Sequence, residues 1–472
     1  MQYLRQSTPR AREARTILSI SLPLIAAYLA EMGMLITDMI IVGRLGSNEL
    51  AAVGLSADWF YVLLLMGMGV VSIVGVLAAQ SLGAQDQKGA RHAVEQGLII
   101  ATLMSVPVML GIWFLGPALR LANQDPHVLQ LISSYSRPLA WCVLPVLWFA
   151  VLRSFVTAMA RTSVIMLISA VALVLNLAIN YVLVFGKFGF PAFGVAGAAY
   201  GTVIVNWLMF IAMSVHVSSS GAFTACRPSL MPRRIDRKAL AEILHLGLPV
   251  TATQILGAGM FTVAAVFVGM LSADTLAAQQ IVYTVIYVAL STSIAIGDAV
   301  RVRVAYGIGM QSAPAARQSA NIAFAFGAGA TIFAAGALWL FPGQIVGVFL
   351  DTTDAANAGA MLIAVALAPY AAAFQLFDGM LLVIANALRG LRDTRSPLWI
   401  AVTRIFSRAL SPSRRPSRRR PPTQRARAWV PRRSVTIDCV HSPIRWTRSR
   451  AASTERRRWP SWKSATQTSR PG

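Results

Sequence analysis

The chain has 472 residues, of which 56% are hydrophobic and only 13% charged, and it carries several apolar runs long enough to cross about 30 Å of hydrocarbon at roughly 20 helical residues each. Its formal charge of +24 does not mark a nucleic-acid binder, because about 19 of the 42 basic residues follow position 403, where only Asp438 and Glu455 oppose them. Cys142, Cys226 and Cys439 show no CxxC spacing, the five histidines form no ligand cluster, and no GxxxxGK[ST] motif occurs, so no metal site, disulfide framework, cofactor or ATP-driven machinery is expected.

In chain order, residues 1–16 are polar and include Arg5, Arg10, Arg12 and Arg15. Apolar runs follow at about 17–42, 52–78, 93–116, 130–158, 162–185, 194–217, 241–270, 276–300, 319–349 and 359–388. They are too long and too continuously apolar for barrel strands, so ten helical spans are predicted in an all-α polytopic membrane protein. No cleavable signal is evident, and the first helix is expected to stay as an anchor. Basic residues concentrate before the first span, after the second (Lys88, Arg91) and in the central connection (Arg227, Arg233, Arg234, Arg237, Lys238). The positive-inside rule then predicts a cytoplasmic N-terminus and a cytoplasmic central loop. The expected division is a first lobe at 17–217, an inter-lobe loop at 218–240, a second lobe at 241–403 and a basic tail at 404–472.

A shift of 226 residues aligns Pro23 with Pro249, Gly33-Met34 with Gly259-Met260, Gly43 with Gly269 and Leu50-Ala51-Ala52 with Leu276-Ala277-Ala278. The same shift pairs Tyr61 with Tyr287, Gly83 with Gly309, Gln85 with Gln311 and Ala90-Arg91 with Ala316-Arg317. One register held over about 70 residues predicts two homologous helical bundles, a six-helix lobe and a truncated second lobe, around a central cavity and related by an axis along the membrane normal.

The segments SLPLIAAYLAEMGMLITDMIIVGRLGSNELAAVGL (21–55), QSLGAQD (80–86), NLAINYVLVFGKFGFPAFGVAGAAYGT (176–202), LGLPVTATQ (246–254) and FQLFDGMLLVIANALRGLRDTRSP (374–397) resemble the multidrug and toxic compound extrusion family, most closely its NorM-like bacterial branch. The resemblance covers residues 10 to about 400. It implies twelve helices in two lobes and export of cationic amphipathic compounds in exchange for Na+ or H+, by a monomer in the cell inner membrane with no cofactor and no nucleic-acid partner. A lipid-linked precursor flippase of the same superfamily, or a truncated non-functional product, are the alternatives.

An ionised side chain within hydrocarbon costs several kcal/mol unless it meets a wet cavity or a partner. Glu31, Asp38, Asp298 and Asp378 are the four acids in this position. Glu31 and Asp38 are two turns apart on one helix face, about 10 Å along the axis. By resemblance, Asp38 and Asp378 match the family's first-helix and tenth-helix aspartates, and Asn176 and Asn180 match its NxxxN pattern. Those amides suit either cation coordination or interhelical hydrogen bonding. An arginine partner, with Arg153 and Arg301 at hand, is the alternative reading for the acids, and Asp298 is expected to pair with Arg301. Gly257 and Phe374 stand where the branch has a glutamate and a tyrosine, which weakens a cation site in the second lobe and leaves Glu31, the repeat counterpart of Gly257, as its substitute.

After SPLWIAVTRIF (396–406) the run that should become an eleventh span gives way to SPSRRPSRRRPPTQRARAWVPRRS (411–434). A shifted reading frame in a GC-rich gene produces such text, and a genuine basic tail is the rival. With a frame shift, a single-base correction near codon 403 restores two apolar spans of about 20 residues each. Resequencing that checks all three downstream frames tests this, and three frames without such spans rule it out.

Overall fold

A computed structural model describes residues 9–120, 126–230, 234–269, 273–348 and 358–409. The chain up to Pro412 forms one compact unit and Ser413–Gly472 a second, which lies outside the described residues. The helices are α1 (Pro9–Gly43), α2 (Ser47–Gly83), α3 (Gln87–Trp113), α4 (Leu115–Arg120), α5 (Pro126–Ala140), α6 (Val143–Ala158), α7 (Ser163–Phe185), α8 (Val195–Ser219), α9 (Arg237–Gly269), α10 (Ala273–Gly309), α11 (Ala313–Leu340), α12 (Pro342–Gly347), α13 (Ala358–Gly390) and α14 (Arg395–Ala409). Among the described residues nine are long and apolar enough to cross a membrane, and α5 with α6, bent by 44° at their junction, makes a tenth if the pair is one span. These are the ten runs read from hydropathy.

Helix ends differ from the apolar boundaries. Polar residues from Pro9 onward already belong to α1, because Arg and Glu are good helix formers and need no membrane to continue a turn. The connection between lobes shrinks to the stretch between Ser219 and Arg237, with a 3-10 turn at Gly221–Cys226. Helix α14 runs to Ala409, past the expected boundary at 403; the rest of the basic tail lies outside the described residues.

The two halves share their local chemistry as well as their register. Helices α2 and α10 are each 37 residues long, and both end in the same turn. Gln85 (φ 59°) and Gln311 (φ 56°) each take the left-handed conformation. Around them Asp86 N–H donates to Ser81 and Ser312 N–H to Gly307, the 6→1 bond of a Schellman stop. Asp86 and Ser312 then cap the next helix, accepting from Gly89 N–H at 2.9 Å and Ala315 N–H at 3.3 Å.

In the first lobe α1 packs along α7, α2 against α3 and α6, and α7 against α8; in the second, α10 packs with α11 and α13, and α14 lies along α9 as α7 lies along α1. The lobes meet through α2 against α9 and α10, and through α1 against α10 and α11. Polar contacts among the described residues also join the lobes at the N-terminal face. Glu13 accepts from Arg303 and from Ser319 at 2.6 Å, and Arg392, between α13 and α14, donates to Gln80 across the boundary and to Glu242 of its own lobe.

The closest approach there is between main chains. A Cβ on Gly83 would stand 2.2 Å from the Tyr306 carbonyl oxygen, and one on Gly309 would stand 2.0 Å from that of Gln80. Tyr306 is itself the repeat counterpart of Gln80, so the contact is reciprocal about the pseudo-twofold axis. Away from this face, Tyr61 and Tyr287, another counterpart pair, bring their hydroxyls together while remaining 47% and 44% exposed. Their exposure at the lobe boundary agrees with the central cavity expected from the sequence.

Gly309→Val therefore cannot be accommodated without separating α2 from α10. The expected result is a protein that inserts normally but populates the state opened at the N-terminal face, with overpacking of about 1–3 kcal/mol against the closed state. Protease or thiol accessibility of the α2–α3 turn measures it, and unchanged accessibility refutes it.

Candidate functional site

Asp38 lies on α1 near the end opposite the N-terminus and is 6% exposed. Its carboxylate is held by neutral groups from two neighbouring helices. Thr202 of α8 donates to Oδ2 at 3.0 Å, and the Asn180 amide of α7 donates to Oδ1. Asn176, one turn before Asn180, also hydrogen-bonds to it. Local sequence explains the arrangement: i,i+4 spacing puts both amides on one face of α7, and Gly201 gives Asn180 room, since a Cβ there would fall 1.8 Å from Asn180 Oδ1. Tyr135 and Cys142, both buried, stand near the carboxylate from α5 and from the α5–α6 junction.

Asp38 takes part in none of the ion pairs among the described residues. The Asn176 and Asn180 side-chain oxygens are buried without a hydrogen-bond partner among them. A carboxylate without an ion-pair partner among the described residues thus sits beside two amides whose oxygens are unsatisfied among them. A buried, unpaired carboxylate is unfavourable by several kcal/mol, and oxygen donors of this kind suit a hard cation such as Na+, while a proton on Asp38 removes the charge as well.

The other acids are satisfied differently. Glu31 pairs with Arg153 of α6, whose Nη1 donates to both carboxylate oxygens at 3.0 and 3.2 Å. Asp298 pairs with Arg301 at 3.1 Å and accepts the Tyr28 hydroxyl at 2.5 Å. So Arg153 and Arg301 are the partners of Glu31 and Asp298, not of Asp38, and the shared helix face of Glu31 and Asp38 does not place them in one site.

Asp378 is half-buried on α13 in the second lobe, and the hydrogen-bond partners of Asp38 all come from the first. Next to it, Gly379 sits against Thr331 and Ser293. A Cβ on Gly257 would meet nothing within 4 Å, and Phe374 packs edge-on against Phe261 at 5.7 Å, which also meets Tyr283 at 5.2 Å. An aromatic cluster occupies the region where the resemblance implies polar ligands. Thr202 and Tyr28 are the contributors that sequence reading missed. Thr202 closes the GAAYGT segment, but nothing in its spacing points at Asp38.

The family model MatE matches the chain twice, over residues 23–182 and 249–410. The two matches begin 226 residues apart, the offset of the internal repeat. The chain belongs to the MatE family. Among its relatives, "Probable multidrug resistance protein NorM" of Pseudomonas aeruginosa is 34% identical over 396 residues, covering 84% of this chain and 81% of that protein. The protein of the same description in Rhizobium meliloti is 34% identical over 82% of this chain and 83% of its own length. The solved structure of the eukaryotic MATE transporter AtDTX14 superposes with a TM-score of 0.75 at 18% identity over 84% of this chain and 87% of that one. An outward-facing multidrug resistance MATE transporter of the MOP superfamily gives 0.73 at 18% identity, over 85% and 89%. At such identities the structures show a shared fold, an all-helical membrane protein of two lobes.

In this MatE protein, Gly201→Ala should displace Asn180 from Asp38 without touching either residue chemically. The expected outcome is normal insertion with a lower unfolding midpoint, the loss of one hydrogen bond to a charged group being about 1.5–3 kcal/mol. A thermal melt of the purified protein measures this, and an unchanged midpoint shows that the amide is not held in that position.

Proposed function

We propose that this MatE protein is a secondary multidrug efflux transporter that exports organic cations in exchange for Na+ or H+, with Asp38 as the coupling carboxylate. The observation that carries the reading is the charge balance at Asp38: a carboxylate sealed among Asn176, Asn180 and Thr202, with no arginine or lysine among the described residues in an ion pair to it. Such a group has two stable conditions, loaded with a cation or proton and neutral, or ionised and drawn toward water. An antiporter needs this alternation, because the ion's affinity must differ between the two lobe arrangements for its gradient to drive the cycle.

The relatives described as multidrug resistance proteins support the substrate class, and the pair of half-exposed tyrosines at the cavity supplies faces for a cationic compound. With the N-terminus in the cytoplasm of a cell whose inner membrane holds the protein as a monomer, the closed N-terminal face makes this the outward-open arrangement. Asp378 is the second candidate for ion coupling, in the other lobe.

Asp38→Asn should abolish energised efflux of a fluorescent organic cation at matched protein levels while insertion persists, because an amide of the same shape cannot change charge and relieves the cost of burying one. Asp378→Asn is expected to reduce efflux less severely. Undiminished efflux in the Asp38 variant removes it from the mechanism, and a parallel fall in expression assigns it a purely structural role.

A further inference from the structure

A continuous chain of charged and polar groups crosses from one lobe to the other below the two cavity tyrosines. From α1 and α6 of the first lobe come Glu31, Tyr28 and Arg153; from α10 of the second come Asp298 and Arg301. Arg153 binds Glu31 at 3.0 Å, and its Cζ stands 5.2 Å over the Tyr28 ring and 5.9 Å from that of Phe149. The Tyr28 hydroxyl spans the lobe boundary to Asp298 at 2.5 Å. Arg153 also lies within electrostatic range of Asp298. The two acids, one on each lobe, therefore face one guanidinium.

The surroundings decide which acid holds it. Glu31 retains 29% of its side-chain exposure, whereas Arg153 keeps 15%; Glu31 is also within range of Tyr287 at the cavity. Asp298 is flanked by two positive groups of its own lobe, Arg301 and Arg389, both more than nine-tenths buried and each with an unpartnered Nε among the described residues. While Glu31 is charged and free, it takes Arg153, and the lobes are tied at this level by the Tyr28–Asp298 hydrogen bond. When a positive charge settles on Glu31, the nearest remaining carboxylate for Arg153 is Asp298 across the boundary. An ion pair is then added to the hydrogen bond, and the lobes are tied more firmly.

We infer that Glu31 and Asp298 compete for Arg153, and that an organic cation binding at Glu31 is sensed through this competition as tighter closure of the N-terminal face. Glu31 is thus a substrate-sensing residue, and Tyr28, Arg153 and Asp298 position it against the opposite lobe. The inference rests on the efflux reading for the identity of the cation, while the competition itself does not depend on it. Its consequence for transport is directional: a loaded cavity holds shut the face through which its contents would otherwise return.

The test is disulfide cross-linking between Ala84→Cys and Met310→Cys, counterpart positions beside the reciprocal Gly83–Gly309 contact, in the full-length chain with Cys439→Ser. Cys142 and Cys226 are buried and stay. The initial oxidation rate in membranes reads how far the N-terminal face is closed. Glu31→Gln should raise that rate, while Tyr28→Phe and Asp298→Asn should lower it, each by on the order of tenfold for one charged interaction gained or lost. Tyr28→Phe keeps the ring under Arg153 and guards against misfolding of the Asp298 variant. Tetraphenylphosphonium should raise the rate in the parent and have no effect on Glu31→Gln. Changes of the same sign in all three variants, or none, overturn the competition. Opposite signs without any response of the parent to tetraphenylphosphonium overturn the organic cation as the occupant of Glu31, and that failure is separable from a loss of efflux in the Asp38 variant.

Discussion

A charge in hydrocarbon must be answered by something, and the architecture of this protein can be understood from how each membrane carboxylate is answered. Glu31 and Asp298 have arginines within hydrogen-bond distance. Asp38 has two amides and a hydroxyl. The first solution keeps a positive charge permanently at hand, because an arginine does not lose its proton in a protein, even where two acids share it. The second is provisional, because neutral dipoles orient a carboxylate without cancelling it. The pockets thus differ: one kind joins neighbouring helices through opposite charges, and the other orients a carboxylate that has no ion-pair partner among the described residues.

Duplication makes the contrast sharper. Helices α2 and α10 share their length, and the turns after them share a stop and a cap, yet the polar interiors of the lobes have diverged. Where Asp38 sits in the first lobe the second has Ala264, and the region of Gly257 and Phe374 is open or aromatic. The Asp38 pocket needs α7 and α8 beside α1, and in the second lobe only α14, in the role of α7, is present among the described residues. The lobe that is complete in the described chain is the one that carries the candidate ion site, so the anomalous segment beyond Ala409 leaves that site's ligands untouched.

What could be read from the sequence follows from the range of the interactions involved. Spans were legible because hydropathy is a property of contiguous residues, and the repeat because one offset persists through glycines, prolines and tyrosines. Asn176 and Asn180 were legible as a pair by i,i+4 spacing, and Asp298 with Arg301 by i,i+3. Thr202 was not, being 164 residues from the carboxylate it donates to; nor was Tyr28, which finds Asp298 at a separation of 270. The pairing of Arg153 depended on which of several acids its helix faced, a matter of helix rotation that composition does not encode. Helix ends were not legible where a helix outlasts its apolar stretch, as at Pro9–Thr16, since hydropathy reports the solvent and hydrogen bonding reports the helix.

The reciprocal contact of Gly83 with the Tyr306 carbonyl and of Gly309 with that of Gln80 joins the lobes through main chain. The contact demands glycine at 83 and 309 but reads no side chain elsewhere, so residues lining the cavity can be exchanged over evolutionary time without altering the surfaces on which the lobes close. A transporter built this way separates its recognition from its moving joint. Breadth of substrate choice then requires no redesign of the machinery, and a change of clientele needs only new walls around an unchanged pivot.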